Sequence, residues 1–118
     1  MTDREELEIA VKALDSKKAK KITALKVEEL TILANYFVIA SASSTTQVKA
    51  LADEVEFQLG EKGVKPKGIE GYQSKEWIVL DYYDIIVHVF LEETRDFYQL
   101  ERLWADGTPV DISEITKE

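Results

Sequence analysis

The feature that most constrains the fold is a run of seven almost entirely apolar residues at positions 85–91, with His88 as its one polar member. A second such run covers residues 36–40, and both are rich in β-branched and aromatic side chains. Runs of this composition are typical of strands buried on both faces, and they are too short to cross a membrane. We therefore predict two inner strands of a sheet.

Residues 76–82 alternate as expected of a strand with two unlike faces. One face carries Trp77, Val79 and Asp81, and the other carries Ile78, Leu80 and Tyr82. Residues 83–84 form a tight turn, so this strand should pair with the next one as an antiparallel hairpin. Further strands are predicted over residues 21–27 and, as a short element, over residues 67–70.

Apolar residues at helical spacing predict three helices, over residues 3–17, from residue 45 to Gly60 or Gly63, and over residues 95–105. Each follows a residue suited to cap a helix N-terminus: Thr2, Ser44 and Thr94. The apolar stripe of the last helix consists of Phe97, Leu100, Leu103 and Trp104. Because strands joined through a helix need a parallel crossover, we predict a mixed β-sheet of about five strands with helices packed on it, in an α/β (α+β) fold.

Length and charge limit the organisation and the partners. A chain of 118 residues suits one domain, which we place at residues 1–106, and we predict that the acidic tail over residues 107–118 is flexible. The net charge is −8, and all of it lies in residues 68–118, which hold 4 basic and 12 acidic side chains. Such a surface repels nucleic acid and attracts a basic protein. On charge alone, however, we favour the alternative that the excess of acidic side chains serves only solubility.

Residue types exclude several classes of site. The chain has no cysteine, which rules out disulfides and thiolate zinc sites. The apolar strand around His88 favours a hydrogen-bonded core histidine over a general base. Asp81, near a strand end, could supply one metal ligand, but Asp84 is interpreted as a turn residue and we find no convincing second ligand. We therefore predict no catalytic residue, no metal and no cofactor. The acidic N-terminus is unlike a secretory signal, so we expect a cytoplasmic protein.

Two further segments each have a binding and a structural interpretation. The lysines within residues 17–21 could contact RNA, but such a run is more often the solvated end of a helix. The loop at residues 41–46 joins a strand to a helix N-terminus, which is where anions bind in many proteins. It contains no glycine and matches neither a Walker A loop nor a dinucleotide fingerprint, so we interpret it as a connector.

Trp77 is the strongest candidate for binding a protein. If Ile78 and Leu80 face the helices, then Trp77 and Asp81 face away from them, and an aromatic side chain in acidic surroundings is typical of an interface. The alternative is that a loop or the first helix covers Trp77. Off the apolar stripe of the last helix, the same surface would be extended by Tyr98, Glu101 and Arg102.

Six short motifs resemble, in order and spacing, those of the ribosomal silencing factor (Iojap-like) family. They lie at residues 36–41, 47–48, 70–71, 77–82, 87–90 and 95–104. The last one reads RDFYQLERLW and is similar to the family pattern R-x-F-Y-x-L-E-x-L-W. No motif is specific by itself, but the set is specific as a whole, and the resemblance extends from about residue 7 to residue 105.

The resemblance implies a nucleotidyltransferase-like shape without the catalytic set. It also implies binding to a basic protein on the intersubunit face of the large ribosomal subunit, which blocks joining of the small subunit and lowers translation when nutrients are short. A role in large-subunit maturation is implied as well. The partner-binding residues would be Trp77 and Asp81, with Glu70, Tyr98 and Glu101 as weaker candidates. The alternatives are a metal-dependent, nucleotidyltransferase-like enzyme that uses Asp81, and a homodimeric scaffold.

The chain departs from the family pattern at two positions. Asn35 stands where Asp is frequent, which puts any salt bridge from this position in doubt. Ala42 stands where glycine is common, which alters the freedom of the loop backbone. His88, Arg95 and Trp104 match the pattern, with packing as the alternative to a role in binding.

Overall fold

The structure is a computed structural model that describes residues 1–116, except the side chains of Glu101 and Leu103. Its helices are α1 (Asp3–Ser16), α2 (Thr45–Glu61), α3 (Glu92–Tyr98) and α4 (Leu100–Leu103). Its strands are β1 (Lys20–Lys26), β2 (Tyr36–Ala42), β3 (Gly68–Glu70), β4 (Trp77–Asp81), β5 (Ile85–Leu91) and β6 (Thr108–Pro109). None of the described helices is long and apolar enough to span a bilayer.

The strands form one mixed sheet in the order β3-β4-β5-β2-β1-β6. The two apolar runs, β2 and β5, lie at its centre, as predicted, and they pair with each other in parallel. The predicted hairpin is confirmed, with Trp77 opposite Phe90 and Val79 opposite His88. The sheet is therefore of the mixed kind expected from the sequence, with six strands rather than about five.

Helices α1 and α2 cover one face of the sheet. Their caps follow the prediction, because the hydroxyls of Thr2 and Ser44 accept hydrogen bonds from the backbone N–H groups of Glu5 and Gln47, both at 3.1 Å. Under these helices lies the larger apolar core, which includes Leu7, Leu14, Leu51, Leu59, Ile78, Leu80, Val87 and Val89. This packing fixes which way every strand residue points.

The opposite face of the sheet carries a smaller apolar cluster. It contains Leu25, Val27, Phe37, Ile39, Ile86, Phe90 and Leu100, with Trp77, Val79 and Trp104 packed against them. The ring of Trp104 meets that of Phe37 edge-on at 5.0 Å. Because α3 and α4 are short, this face is covered only in part.

The last helix, predicted over residues 95–105, is helical in most of that range but starts earlier and is broken in two. Helix α3 begins at Glu92, directly after β5, so Thr94 lies inside the helix instead of capping it. It ends at Tyr98 because Gln99 adopts the left-handed conformation, with φ at 48°. The predicted stripe does not survive this break, since Leu100 is buried while 81% of Phe97 is exposed.

Residues beyond 106 add to the sheet. Strand β6 pairs with β1, and Val110, Ile112 and Ile115 pack against the larger core. The sequence predicted no strand in this segment. The flexibility of residues 107–118 and the domain end at residue 106 stay predictions, which a truncation described below would test.

Candidate functional site

Strand β4 presents its two faces as the alternation predicted. Ile78 and Leu80 are fully buried under the helices, and Trp77, Val79 and Asp81 lie on the other face. Helix α1 therefore does not cover Trp77, so the part of the alternative that named the first helix is wrong. What the structure places beside the indole is Tyr98, whose ring centre lies 5.1 Å away.

The indole of Trp77 is held from behind by two residues of β5. It stacks on Phe90 with ring centres 4.8 Å apart, and its Nε1–H donates a hydrogen bond to Nδ1 of His88 at 3.1 Å. Two fixed neighbours leave the indole little rotational freedom. A partner that binds it would not have to immobilise the ring.

His88 is a buried histidine with one of its two nitrogens satisfied. Only 7% of it is exposed, and its Nε2 has no hydrogen-bond partner among the residues that the structure describes. Burial penalises the charged imidazolium and lowers the pKa of His88 from its usual 6.5 to about 4. A neutral ring at physiological pH leaves Nδ1 free to accept from Trp77.

Acidic side chains continue the same face toward the sheet edge. Glu70 pairs with Val79 across β3 and β4, so the two side chains lie on one face. Glu70, Val79 and Asp81 share a shallow pocket of about 310 Å³ with Lys67 and Gly68, so one lysine lies among these carboxylates. Asp81 also has a structural role that the sequence pattern does not reveal, since its Oδ1 accepts a hydrogen bond from the backbone N–H of Tyr83 at 2.9 Å.

The end of α3 supplies exposed aromatic rings. Tyr98 is 51% exposed, and its ring meets that of Phe97 edge-on at 5.1 Å. Trp77 and Tyr98 are thus brought together, with Glu70 and Asp81 farther along the same face of the sheet. The predicted side chain of Glu101 lies outside the described residues. Phe97 was missed as a surface residue because its spacing fits a continuous helix.

Arg95 fixes the position of α3 on the sheet. Only 5% of it is exposed, and its guanidinium donates to the backbone oxygen of Lys21 at 2.7 Å, to Thr23 Oγ1 at 3.2 Å and to Ser41 Oγ at 3.3 Å. The register of β1 against β2 shifts between Lys20 and Thr23, and this irregularity presents the Lys21 oxygen to Arg95. The packing alternative for Arg95 is the one that these contacts support.

The lysines of residues 17–21 and the residue Asn35 make contacts within the protein or are exposed to solvent. Lys20 pairs with Glu92 at 3.1 Å, and the remaining lysines of residues 17–21 are exposed. Asn35 donates from Nδ2 to Oδ2 of Asp3 at 2.8 Å, so this position makes a hydrogen bond where a salt bridge was in doubt. Among the residues with described side chains, no three His, Asp or Glu groups are placed to hold a metal ion.

Comparison with known proteins places this geometry in a family. The model of the family "Ribosomal silencing factor during starvation" matches residues 1–118. The ribosomal silencing factor RsfS of Halalkalibacterium halodurans is 36% identical over 115 residues, or 98% of either chain. RsfS of Chromobacterium violaceum is 42% identical over 101 residues, which is 86% of this chain and 83% of that one. The chloroplast protein Iojap of Zea mays is 33% identical over 93% of this chain and 49% of its own length.

Solved structures agree with the sequence comparison. A crystal structure of a Chromobacterium violaceum protein superposes with a TM-score of 0.87 at 41% identity, covering 89% of this chain and 88% of that one. A Bacillus halodurans protein superposes with a TM-score of 0.82 at 36% identity, covering 92% and 98%. On the strength of the family match, the relatives and the shared fold, the chain belongs to the ribosomal silencing factor family that also includes Iojap.

Proposed function

We propose that this protein binds a basic protein on the intersubunit face of the large ribosomal subunit and blocks joining of the small subunit. Translation falls as a result, and the same contact would serve a role in large-subunit maturation. Ribosomes carry out this step in the cytoplasm, so we propose that the protein acts there. Membership of the silencing factor family supports translational regulation and ribosome association in general. The surface described above supports the more specific partner.

The observation that carries the proposal is the indole of Trp77, which Phe90 and His88 hold in place on an acidic face. Aromatic side chains are enriched among the residues that dominate binding energy, and charged neighbours steer the encounter. Here Tyr98 lies 5.1 Å from the indole, and Glu70 and Asp81 follow along the same face. The 12 acidic side chains of residues 68–118 add a negative field that favours a basic partner.

Silencing by this route needs no chemical step. The described part of the chain measures about 32 × 32 × 30 Å, so one bound copy is a rigid obstacle of that size. A body of this size at the intersubunit face keeps the second subunit from docking. We infer that the protein works as a steric block and not as an enzyme.

The test is co-sedimentation with separated large and small ribosomal subunits at low and high salt. We expect binding to the large subunit alone, weakened by salt. Trp77→Ala should weaken it about thirtyfold, because truncating a central aromatic costs at least about 2 kcal/mol. The matched control is Phe57→Ala, which removes a ring that is 58% exposed on α2, on the opposite face of the sheet.

The outcomes separate the interpretations. Circular dichroism must show that Trp77→Ala is folded; a folded variant that binds like the unmodified protein contradicts the assigned surface. Binding to neither subunit contradicts the proposed function itself. Sedimentation of the free protein at several concentrations shows whether the same face pairs two copies as a homodimer instead.

A further inference from the structure

Beside Trp77 lies an open pocket of about 530 Å³ between the start of β4 and helix α3. Its lining includes three aromatic rings, those of Trp77, Phe97 and Tyr98, and two carboxylates, those of Glu76 and Glu93. Trp77 and Tyr98 were predicted to be parts of a binding surface, whereas Glu76, Glu93 and the pocket had no predicted role. A lining of aromatic rings and carboxylates favours cationic ligands over neutral or anionic ones.

The three rings offer faces in different directions. Trp77 and Tyr98 are tilted by 46°, and Phe97 and Tyr98 are nearly perpendicular, at 81°. Most of Phe97 and half of Tyr98 are in contact with water. An aromatic face carries negative partial charge and attracts a cation within about 6 Å of its centre.

The two carboxylates have no cation of their own. Both Glu76 and Glu93 are exposed, and neither side chain makes an ion pair or a hydrogen bond with any side chain or backbone group that the structure describes. Their neighbour Glu92 differs, because it pairs with Lys20 at 3.1 Å. The pocket therefore holds two uncompensated negative charges next to three ring faces.

We propose that this pocket binds a single arginine side chain of the protein partner. The inference rests on the proposed function and names the group that this site takes. A planar guanidinium stacks on an aromatic ring and donates to a carboxylate at the same time, whereas an ammonium acts as a point charge. An apolar side chain would dehydrate both carboxylates without replacing their hydrogen bonds, and an anion would be repelled.

The first experiment follows the indole N–H signals of Trp77 and Trp104 by NMR during titration with N-acetyl-arginine amide. The neutral isostere N-acetyl-citrulline amide and the lysine analogue serve as comparison ligands. We expect a saturable shift of the Trp77 signal with arginine, a weaker response to lysine and none to citrulline. An equal response to citrulline, or no response to arginine, overturns the proposal, and an equal response to lysine overturns the choice of arginine.

Variants locate the response in the pocket. Glu76→Gln, Glu93→Gln and Phe97→Ala should each weaken arginine binding about two- to fivefold, the range expected of exposed ion pairs and cation–π contacts. Glu61→Gln and Phe57→Ala remove a matching carboxylate and ring from the exposed side of α2 and should leave it unchanged. Equal effects of the pocket variants and their controls overturn the site.

A second readout separates this inference from the proposed function. The double variant Glu76→Gln/Glu93→Gln is co-sedimented with large subunits beside Trp77→Ala. If it binds like the unmodified protein while Trp77→Ala does not, the pocket takes no arginine on the ribosome and the inference fails alone. If the unmodified protein binds no subunit but still responds to arginine, the proposed function fails and the arginine site stands.

Discussion

The contact between Trp77 and His88 depends on the protonation state of one ring. The indole N–H can only donate, so Nδ1 of His88 must accept the hydrogen bond. A protonated imidazolium carries a hydrogen on both nitrogens and therefore has no acceptor. Burial of His88, with 7% exposed, keeps the ring neutral and the hydrogen bond intact. A buried residue thereby sets the orientation of a surface residue.

We expect His88 to lower stability at acid pH. Its pKa is 6.5 when unfolded and about 4 when folded, so the unfolded state binds more protons between these values. The stability that depends on a neutral His88 is fully present above about pH 6.5. It is lost as the pH falls toward 4, and the loss in the free energy of unfolding is about 3 kcal/mol in total. The NMR signal of the single histidine reports its pKa directly. A value near 6.5 would contradict the burial argument.

Asn35 shows why a residue matters beyond its match to a family pattern. Its amide joins the chain before β2 to the first turn of α1 through Asp3, at 2.8 Å. A carboxylate at the same place would face Asp3 with like charge. The sequence raised doubt about a salt bridge, but it could not identify the partner, which lies 32 positions away.

At the scale of the element, the local pattern of apolar residues was sufficient to predict those helices and strands whose residues alternate or repeat according to burial. Strand β4 alternates, α2 has a continuous apolar stripe, and β5 is apolar throughout, so all three were predicted as elements of the right type. The face on which Trp77 lies follows from the burial of Ile78 and Leu80. That part of the candidate site was readable from the sequence.

The break between α3 and α4 was not readable. A left-handed residue is commonly glycine or asparagine, and Gln99 carries no such signal. The anchor of α3 is equally hidden, because Arg95 bonds to Lys21 and Thr23, more than 70 positions earlier in the chain. Local periodicity contains no information about such a contact, so the exposure of Phe97 could not be predicted.

Replacing Arg95 tests this anchor. Arg95→Lys keeps the charge but cannot reach three acceptors, so we expect a loss of about 2–4 kcal/mol in the free energy of unfolding. Urea denaturation measures it. Arg102→Lys is the control on the same segment, since Arg102 is exposed and bonds only locally to Gln99 among the contacts described, at 2.8 Å. Equal stability of the two variants would show that Arg95 is not the anchor.

At the scale of the whole molecule, the C-terminal segment tests where the domain ends. Ending the chain after residue 106 removes β6 and three partly buried side chains, those of Val110, Ile112 and Ile115. We expect a loss of about 2–3 kcal/mol from the apolar area that returns to water. Urea unfolding of the truncated chain measures this loss.

The matched control for the truncation is Ile32→Ala. Ile32 is fully exposed in the loop before β2, so its removal should cost almost nothing. Ile112→Ala in the full chain separates packing from strand pairing. An unfolding midpoint that truncation leaves unchanged would support a flexible tail and place the domain end at residue 106.

The fixed orientation of the Trp77 indole has a consequence for how silencing depends on the amount of this protein in the cell. Because Phe90 and His88 already hold the indole, binding under the proposed function requires no reorientation of this ring. The extent of silencing should then follow simple saturation, set by the ratio of the protein's cellular concentration to its Kd. A cell would adjust translation by making or degrading copies, and the response would be graded, without a threshold.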